Sequence, residues 1–300
     1  MKLPSLYSLL FCLVITGLAQ ADTLAPERAH QITTMEVVRK LQTRHLAQKS
    51  IDDQLSQELL LHYLDRLDSS RQTFLQKDVD ALQKKYATAL DGALKRGDIQ
   101  PGFEIFNLYR ERSIKQLETT IASMEKIIKS FDYSKDETIL VDRSKAAWPG
   151  TEAEAEQIAR QRLKASALGL KLAGKEQKDI IELLLKRYQN QLDRLQKIRS
   201  DDVYQMYMNA FTELYDPHTN YMSPASSDNF DISMSLKLEG IGAMLRSHDE
   251  HTQVVRLIHA GPADKQGELK PMDKIVGVAQ GKGEMVDVVG WRLDEVVDLI

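Results

Sequence analysis

Three groups of residues in this 300-residue chain have types and spacings that chemistry could use. Ser123 and Lys126 form a Ser-x-x-Lys, the spacing of a serine nucleophile beside a lysine base. His248-Asp249-Glu250-His251 concentrates four potential metal ligands. Gly240-Ile241-Gly242-Ala243, within SLKLEGIGAML, places two glycines one residue apart in a strand-like run, where each costs backbone entropy and packs nothing. A tight turn, a bulge, or a ligand approaching too closely for any Cβ would each require bare backbone there.

The first two groups read as bland. Ser123 and Lys126 fall inside a helical pattern, among Met124 and Ile128, which must face a core. The histidine cluster lies between two strand-like runs and reads as a solvated hairpin turn, and His218 in Asp216-Pro217-His218-Thr219 reads as structural. No nucleophile elbow, phosphate loop, zinc-protease motif or paired-cysteine site is present in the sequence. The expectation is therefore no catalytic residue in this chain, no metal and no cofactor. With 42% apolar and 28% charged residues the mixture is ordinary for a globular protein, and a net charge of −4 with interleaved signs argues against a nucleic-acid partner.

The glycine pair admits a sharper reading. If residues 241 to 245 form a strand, period two puts Ile241, Ala243 and Leu245 on one face, with Gly242 and Met244 on the other. Successive main-chain N–H groups before such a strand can converge on an anion, and a peptide's terminal carboxylate would suit that nest. The rest of the peptide could then add as an extra strand, its last side chain entering a pocket. A helix bearing Leu293, Val296, Val297 and Ile300 at i, i+3, i+4, i+7 supplies a second wall. The same stripes would equally serve a small core by packing on each other, and pattern alone does not separate the two. A dinucleotide fold fits poorly, because a third glycine and a long following helix are missing.

The elements around these residues change character once. From about residue 27 to 215 the periodicity is helical. Leu55, Leu59, Tyr63 and Leu67 form one stripe, after Ser50 and Asp53 in capping-box register. Leu75, Val79, Leu82, Tyr86 and Leu90 form another that ends near Gly97, and Pro101-Gly102 opens the longest run, with a seam through Ile114, Leu117, Ile121, Met124, Ile128 and Phe131. After the extended TILVDRSKAAWPG, Thr151 and Glu154 again stand in capping-box register. Ile181, Leu184, Tyr188, Leu192 and Leu195 follow, and Ser200 is placed to cap a helix carrying Tyr204, Tyr207, Met208 and Phe211. Beyond the polar Asp216–Ser227 stretch come short β-branched runs, QVVRLI, KIVGV and MVDVV, and a helix-like WRLDEVVDLI.

The expected organisation is a signal peptide over 1–21, an all-α helical domain over 22–225, and a small α+β domain over 226–300. Lys2, the apolar run Leu6–Leu18 and Ala19-Gln20-Ala21 have the form of a cleavable export signal. The run is too short to span about 30 Å of hydrocarbon at about 1.5 Å per residue, so no membrane span is expected after cleavage. Cys12, the single cysteine, lies within it, which leaves the mature chain without thiol or disulfide chemistry.

GIGAML resembles the carboxylate-binding loop of PDZ domains, and GPADKQGELKPMDKIVGV resembles the segment that follows it in bacterial carboxyl-terminal processing proteases. With DRSKAAWP (Asp142–Pro149) and DPHTNYMSP (Asp216–Pro224) in the same order, essentially the whole mature chain resembles the tail-specific protease family. The resemblance implies a periplasmic serine endopeptidase that captures the apolar C-terminal tails of proteins and degrades them with a Ser/Lys pair. An adaptor protein is a further candidate partner. Carried over by position, Gly240, Ile241, Gly242 and Ala243 would offer N–H groups to a substrate carboxylate. Ile241, Ala243 and Leu245 would line the pocket, with Val296 and Ile300 facing them. Two departures stand out. Pro271-Met272-Asp273 replaces the usual Gly-Asp, which implies a strained or differently shaped turn. Ile300 falls inside the groove helix, before the family's last PDZ strand and its serine and lysine, so the PDZ-like domain is expected to be truncated and this chain alone to be inactive. The alternative, from another functional class, is a secreted, non-catalytic PDZ adaptor that binds C-terminal peptides.

Overall fold

The computed structural model describes residues 23–224, 226–227, 230, 240–248, 251–281 and 283–300. The expected export signal, residues 1–21, lies outside the described residues. Among those described, no helix is long and apolar enough to cross a membrane.

Among the described residues, eight helices build the first region: α1 (Arg28–Arg44), α2 (Asp53–Leu67), α3 (Gln76–Tyr86), α4 (Leu90–Lys95), α5 (Gln100–Lys129), α6 (Glu152–Leu172), α7 (Gln177–Gln196) and α8 (Ser200–Thr212). The apolar stripes become two cores. The larger joins α1 to α4, the first half of α5 and α8 around Tyr63, Phe74, Phe103, Phe106, Tyr207 and Phe211. The smaller joins the end of α5 to α6 and α7 around Met124, Ile128, Leu163, Ala167, Ile180 and Leu184. A 30-residue α5 runs through both, about 45 Å at 1.5 Å per residue. Its seam is buried at Ile114, Met124 and Ile128 and only half-buried at Leu117 and Ile121, between the cores.

Several local expectations need correction. The cap of α2 is Asp52, whose carboxylate accepts from Leu55 N at 3.1 Å, because burial of Ile51 in the core fixes the chain's entry two residues after Ser50. Thr151 caps α6 through Glu154 N as expected, but Glu154 reaches back to the N–H of Gly150 rather than of Thr151. Ser200 is the first residue of α8 rather than its cap; Asp202 caps that end by accepting from Arg199 N at 2.9 Å. The stripe from Leu75 to Leu90 is split between α3 and α4. Gly97, at φ +73°, then turns the chain where a Cβ would meet Gln31 O at 2.6 Å. Gly102 lets α5 lie against the ring of Tyr207, which an added Cβ would meet at 2.5 Å.

The second region is small and mixed. Its elements are β1 (Ala243–His248), β2 (His251–Leu257), α9 (Pro262–Gln266), β3 (Lys274–Ile275), β4 (Gly277–Val278), β5 (Val286–Asp287) and α10 (Leu293–Leu299). The strands form a three-stranded antiparallel sheet in the order β1-β2-β3 and a two-stranded ladder β4-β5. The chain is thus an all-α region followed by a small α+β region. Helix α9 was not anticipated, although Pro262 at its start and left-handed Gly267 at its end are standard punctuation.

Candidate functional site

The two glycines ahead of β1 occupy backbone that other residues avoid, Gly240 at φ +134° and Gly242 at φ +75°. They do so for different reasons. A Cβ on Gly240 would meet nothing, so only its dihedral requires glycine. On Gly242 it would also press on Gly261 Cα and Pro262 Cδ, both at 3.1 Å. The loop is braced from behind by α9: Ile241 O accepts from Ala263 N at 2.9 Å and Gly242 O from Ile258 N at 2.8 Å. With its carbonyls engaged on that side, the N–H groups of Gly240, Ile241 and Gly242 donate to no backbone acceptor among the described residues. Gly261 and Pro262 are therefore part of the loop's support.

β1 follows directly and pairs only with β2 among the described residues, where it stands at the edge of the sheet. Ala243 faces Leu257 and Leu245 faces Val254. Strict alternation would put Val254 and Leu257 on opposite faces. A bulge at the Met244/Leu245 step, where Met244 pairs Arg256 and Leu245 pairs Val254, brings both to the face of Ala243 and Leu245. Val254 is fully buried, and Met244 on the other face is exposed. Helix α10 packs against β1. It buries Val296 completely, leaves Leu293 and Ile300 half-buried and turns Val297 to solvent, so the expected four-residue stripe is narrower than its spacing implied.

Of the residues singled out from sequence, Ala243, Leu245 and Val296 therefore lie on two elements packed together, beside the glycine loop, with Ile300 just past the end of α10. Ile241 also borders a cavity of about 390 Å³ on the α9 side, shared with Pro262, Ala263, Leu269 and Asp273. Pro271-Met272 forms the turn before β3 with Met272 at φ +76°, the strained geometry expected of that departure, and Asp273 N donates to Lys270 O at 3.2 Å. In a type II turn this position ordinarily holds glycine.

The other candidate groups are dispersed. Ser123 Oγ donates to Thr119 O within α5 at 2.7 Å. His218 is exposed beyond α8, its N–H donating to Asp216 Oδ1. His248 and His251 face each other at the end of the β1-β2 hairpin, while Asp249 and Glu250 lie outside the described residues.

Residues 37–225 match the family model described as the Tail specific protease N-terminal domain. A tail-specific protease of Haemophilus influenzae is 37% identical over 270 residues, covering 90% of this chain and 38% of that protein. Carboxy-terminal processing protease CtpA of Bacillus subtilis is 38% identical over 87 residues, covering 29% of this chain and 17% of that protein. The chain thus spans well under half the length of these curated relatives. Among solved structures, a PDZ domain of a carboxy-terminal protease from Vibrio cholerae, in complex with a peptide, is 51% identical. That match covers 21% of this chain and 64% of that one, with a TM-score of 0.21.

Proposed function

The chain belongs to the tail-specific protease family, and on that premise we propose that its C-terminal α+β region is a PDZ-like module that grips the free C-terminal ends of other polypeptides. The module is taken as residues 226–300 and the helical domain as 22–225, behind an export signal that directs the protein to the periplasm. In the intact enzyme the module would hand tails to a Ser/Lys protease domain.

One observation carries this reading. The edge of β1, open among the described residues, starts at a loop whose carbonyls are tied back to α9 and its neighbour Ile258 and whose N–H groups at 240 to 242 lack backbone acceptors among the described residues, while α10 packs against β1 itself. A carboxylate can accept from those N–H groups, and an extended peptide can satisfy the unpaired edge by running along β1. Ala243 and Leu245, with Val296 and Ile300 opposite, would take the last apolar side chain. Ile241 would close the pocket beside the carboxylate.

The test is a calorimetric titration of the 300-residue chain with a peptide ending in apolar residues, its terminus either free or amidated. Binding of the free form alone is expected; equal binding of both would sink the nest. Leu245→Glu should abolish binding, because the pocket would gain a buried charge without a partner. Unchanged affinity in that variant would refute the pocket assignment.

A further inference from the structure

The two regions meet at a pair of helix starts that share one sequence pattern. Arg199-Ser200-Asp201-Asp202 opens α8 and Arg292-Leu293-Asp294-Glu295 opens α10. At each, the arginine precedes the helix and donates its backbone N–H to the carboxylate three residues on, Arg199 N to Asp202 Oδ2 at 2.9 Å and Arg292 N to Glu295 Oε2 at 3.0 Å. The guanidinium groups are then exchanged. Arg292 donates to both oxygens of Asp202, with Nη2 to Oδ1 at 3.2 Å, and Arg199 Nη1 donates to Glu295 Oε1 at 2.7 Å. Arg292 Nη1 also donates to Lys197 O at 3.1 Å, past the end of α7.

A lone surface ion pair adds little, because ordering two long side chains offsets the attraction. Here each carboxylate is already fixed by capping its own helix, and Arg292 meets Asp202 as a planar fork, so less freedom is lost on pairing. Pairing with Asp202 holds the Arg292 guanidinium more firmly protonated than usual. The start of α10 cannot move from α8 without breaking both exchanges. α10 is also the wall opposite β1.

We propose that Arg199, Asp202, Arg292 and Glu295 are positioning residues for the peptide groove: the helical domain holds α10, and so sets how tightly the groove closes on a tail. This rests on the peptide-binding reading above. None of the four lies on β1 or the glycine loop, so their effect on a peptide would pass through α10.

The full chain is titrated with the free-ended peptide as wild type, Arg199→Gln, Arg292→Gln and Arg292→Lys, all of which keep both backbone caps. Each Gln variant should bind about five-fold more weakly, the effect of losing roughly 1 kcal/mol of paired charge. Arg292→Lys should keep more of the affinity than Arg292→Gln. Raised salt should bring wild type toward the Gln variants, because the exchanged pairs are partly exposed to screening. In parallel, spin labels on Leu46→Cys and Met285→Cys, in a Cys12→Ser background, report the separation of the regions; both sites are exposed. A narrow distance distribution is expected in wild type and a broadened one in the Gln variants. Broadening with unchanged affinity, or no broadening at all, overturns the proposal. A wild type indifferent to amidation of the peptide overturns the binding reading first, and this inference with it.

Discussion

Tyr63, Phe74, Phe103, Phe106 and Tyr207 are sealed from solvent in the helical region. In the α+β region the sealed hydrophobic side chains among the described residues are Val254, Ala263, Val288 and Val296, while Met244, Val276, Met285, Trp291 and Val297 stay at least 40% exposed. Full burial of one large apolar side chain contributes about 1.5–3 kcal/mol, so the helical region draws its stability from area. The smaller region has little area to draw on. Its order depends more on specific backbone: positive-φ glycines, a bulge, a strained turn, and ion pairs to its neighbour. Unequal burial of this kind leaves the helical region the harder of the two to open and the α+β region the more prone to local opening.

That contrast breaks most readily in the helical core. Phe106→Ala should cost about 3–5 kcal/mol of the stability of the helical transition in a denaturant titration, by transfer loss plus cavity. If the amides of β2 lost their exchange protection in step, the two regions would form one cooperative unit and the distinction would fail. Val254→Ala should cost about 1–3 kcal/mol, seen as faster hydrogen exchange in β1 and β2 with the helical amides unchanged. Met272→Gly should add about 0.5–1 kcal/mol to the small region by removing left-handed strain, less glycine's greater unfolded entropy. An unchanged or lower midpoint for that region would show that the turn stores no strain.

The smallest effect belongs to the helical region's charges. Burial opposes ionisation of Glu213, but His62 at 2.9 Å and Arg66 at 2.5 Å more than offset it and leave the carboxyl below its ordinary range. A lowered folded value means stability that is present above about pH 4.3, the unfolded value, and is lost as pH falls through the folded one. With the partners partly exposed, that amounts to under about 1 kcal/mol. Glu213→Gln should therefore flatten the acid limb of the helical region's stability profile; a limb of the same steepness would remove the pair from the account.

The sequence by itself determined the order of the regions, the apolar faces of the helices and the need for bare backbone at 240 to 242. Each of these is a local property: a 3.6-residue period, a 2-residue period, or a dihedral that only glycine adopts cheaply. Tertiary structure alone decided where the helices start and how the regions join. Asp52 rather than Ser50 caps α2 because Ile51 is drawn into a core. Val254 and Leu257 share a face because of a bulge that no alternation pattern announces. Arg292 meets Asp202 across 90 positions of chain, and nothing in the spacing of charges along a sequence selects one partner over the many carboxylates nearer by. Such pairings are chosen by packing, after the apolar surfaces have settled which helix starts come to lie side by side.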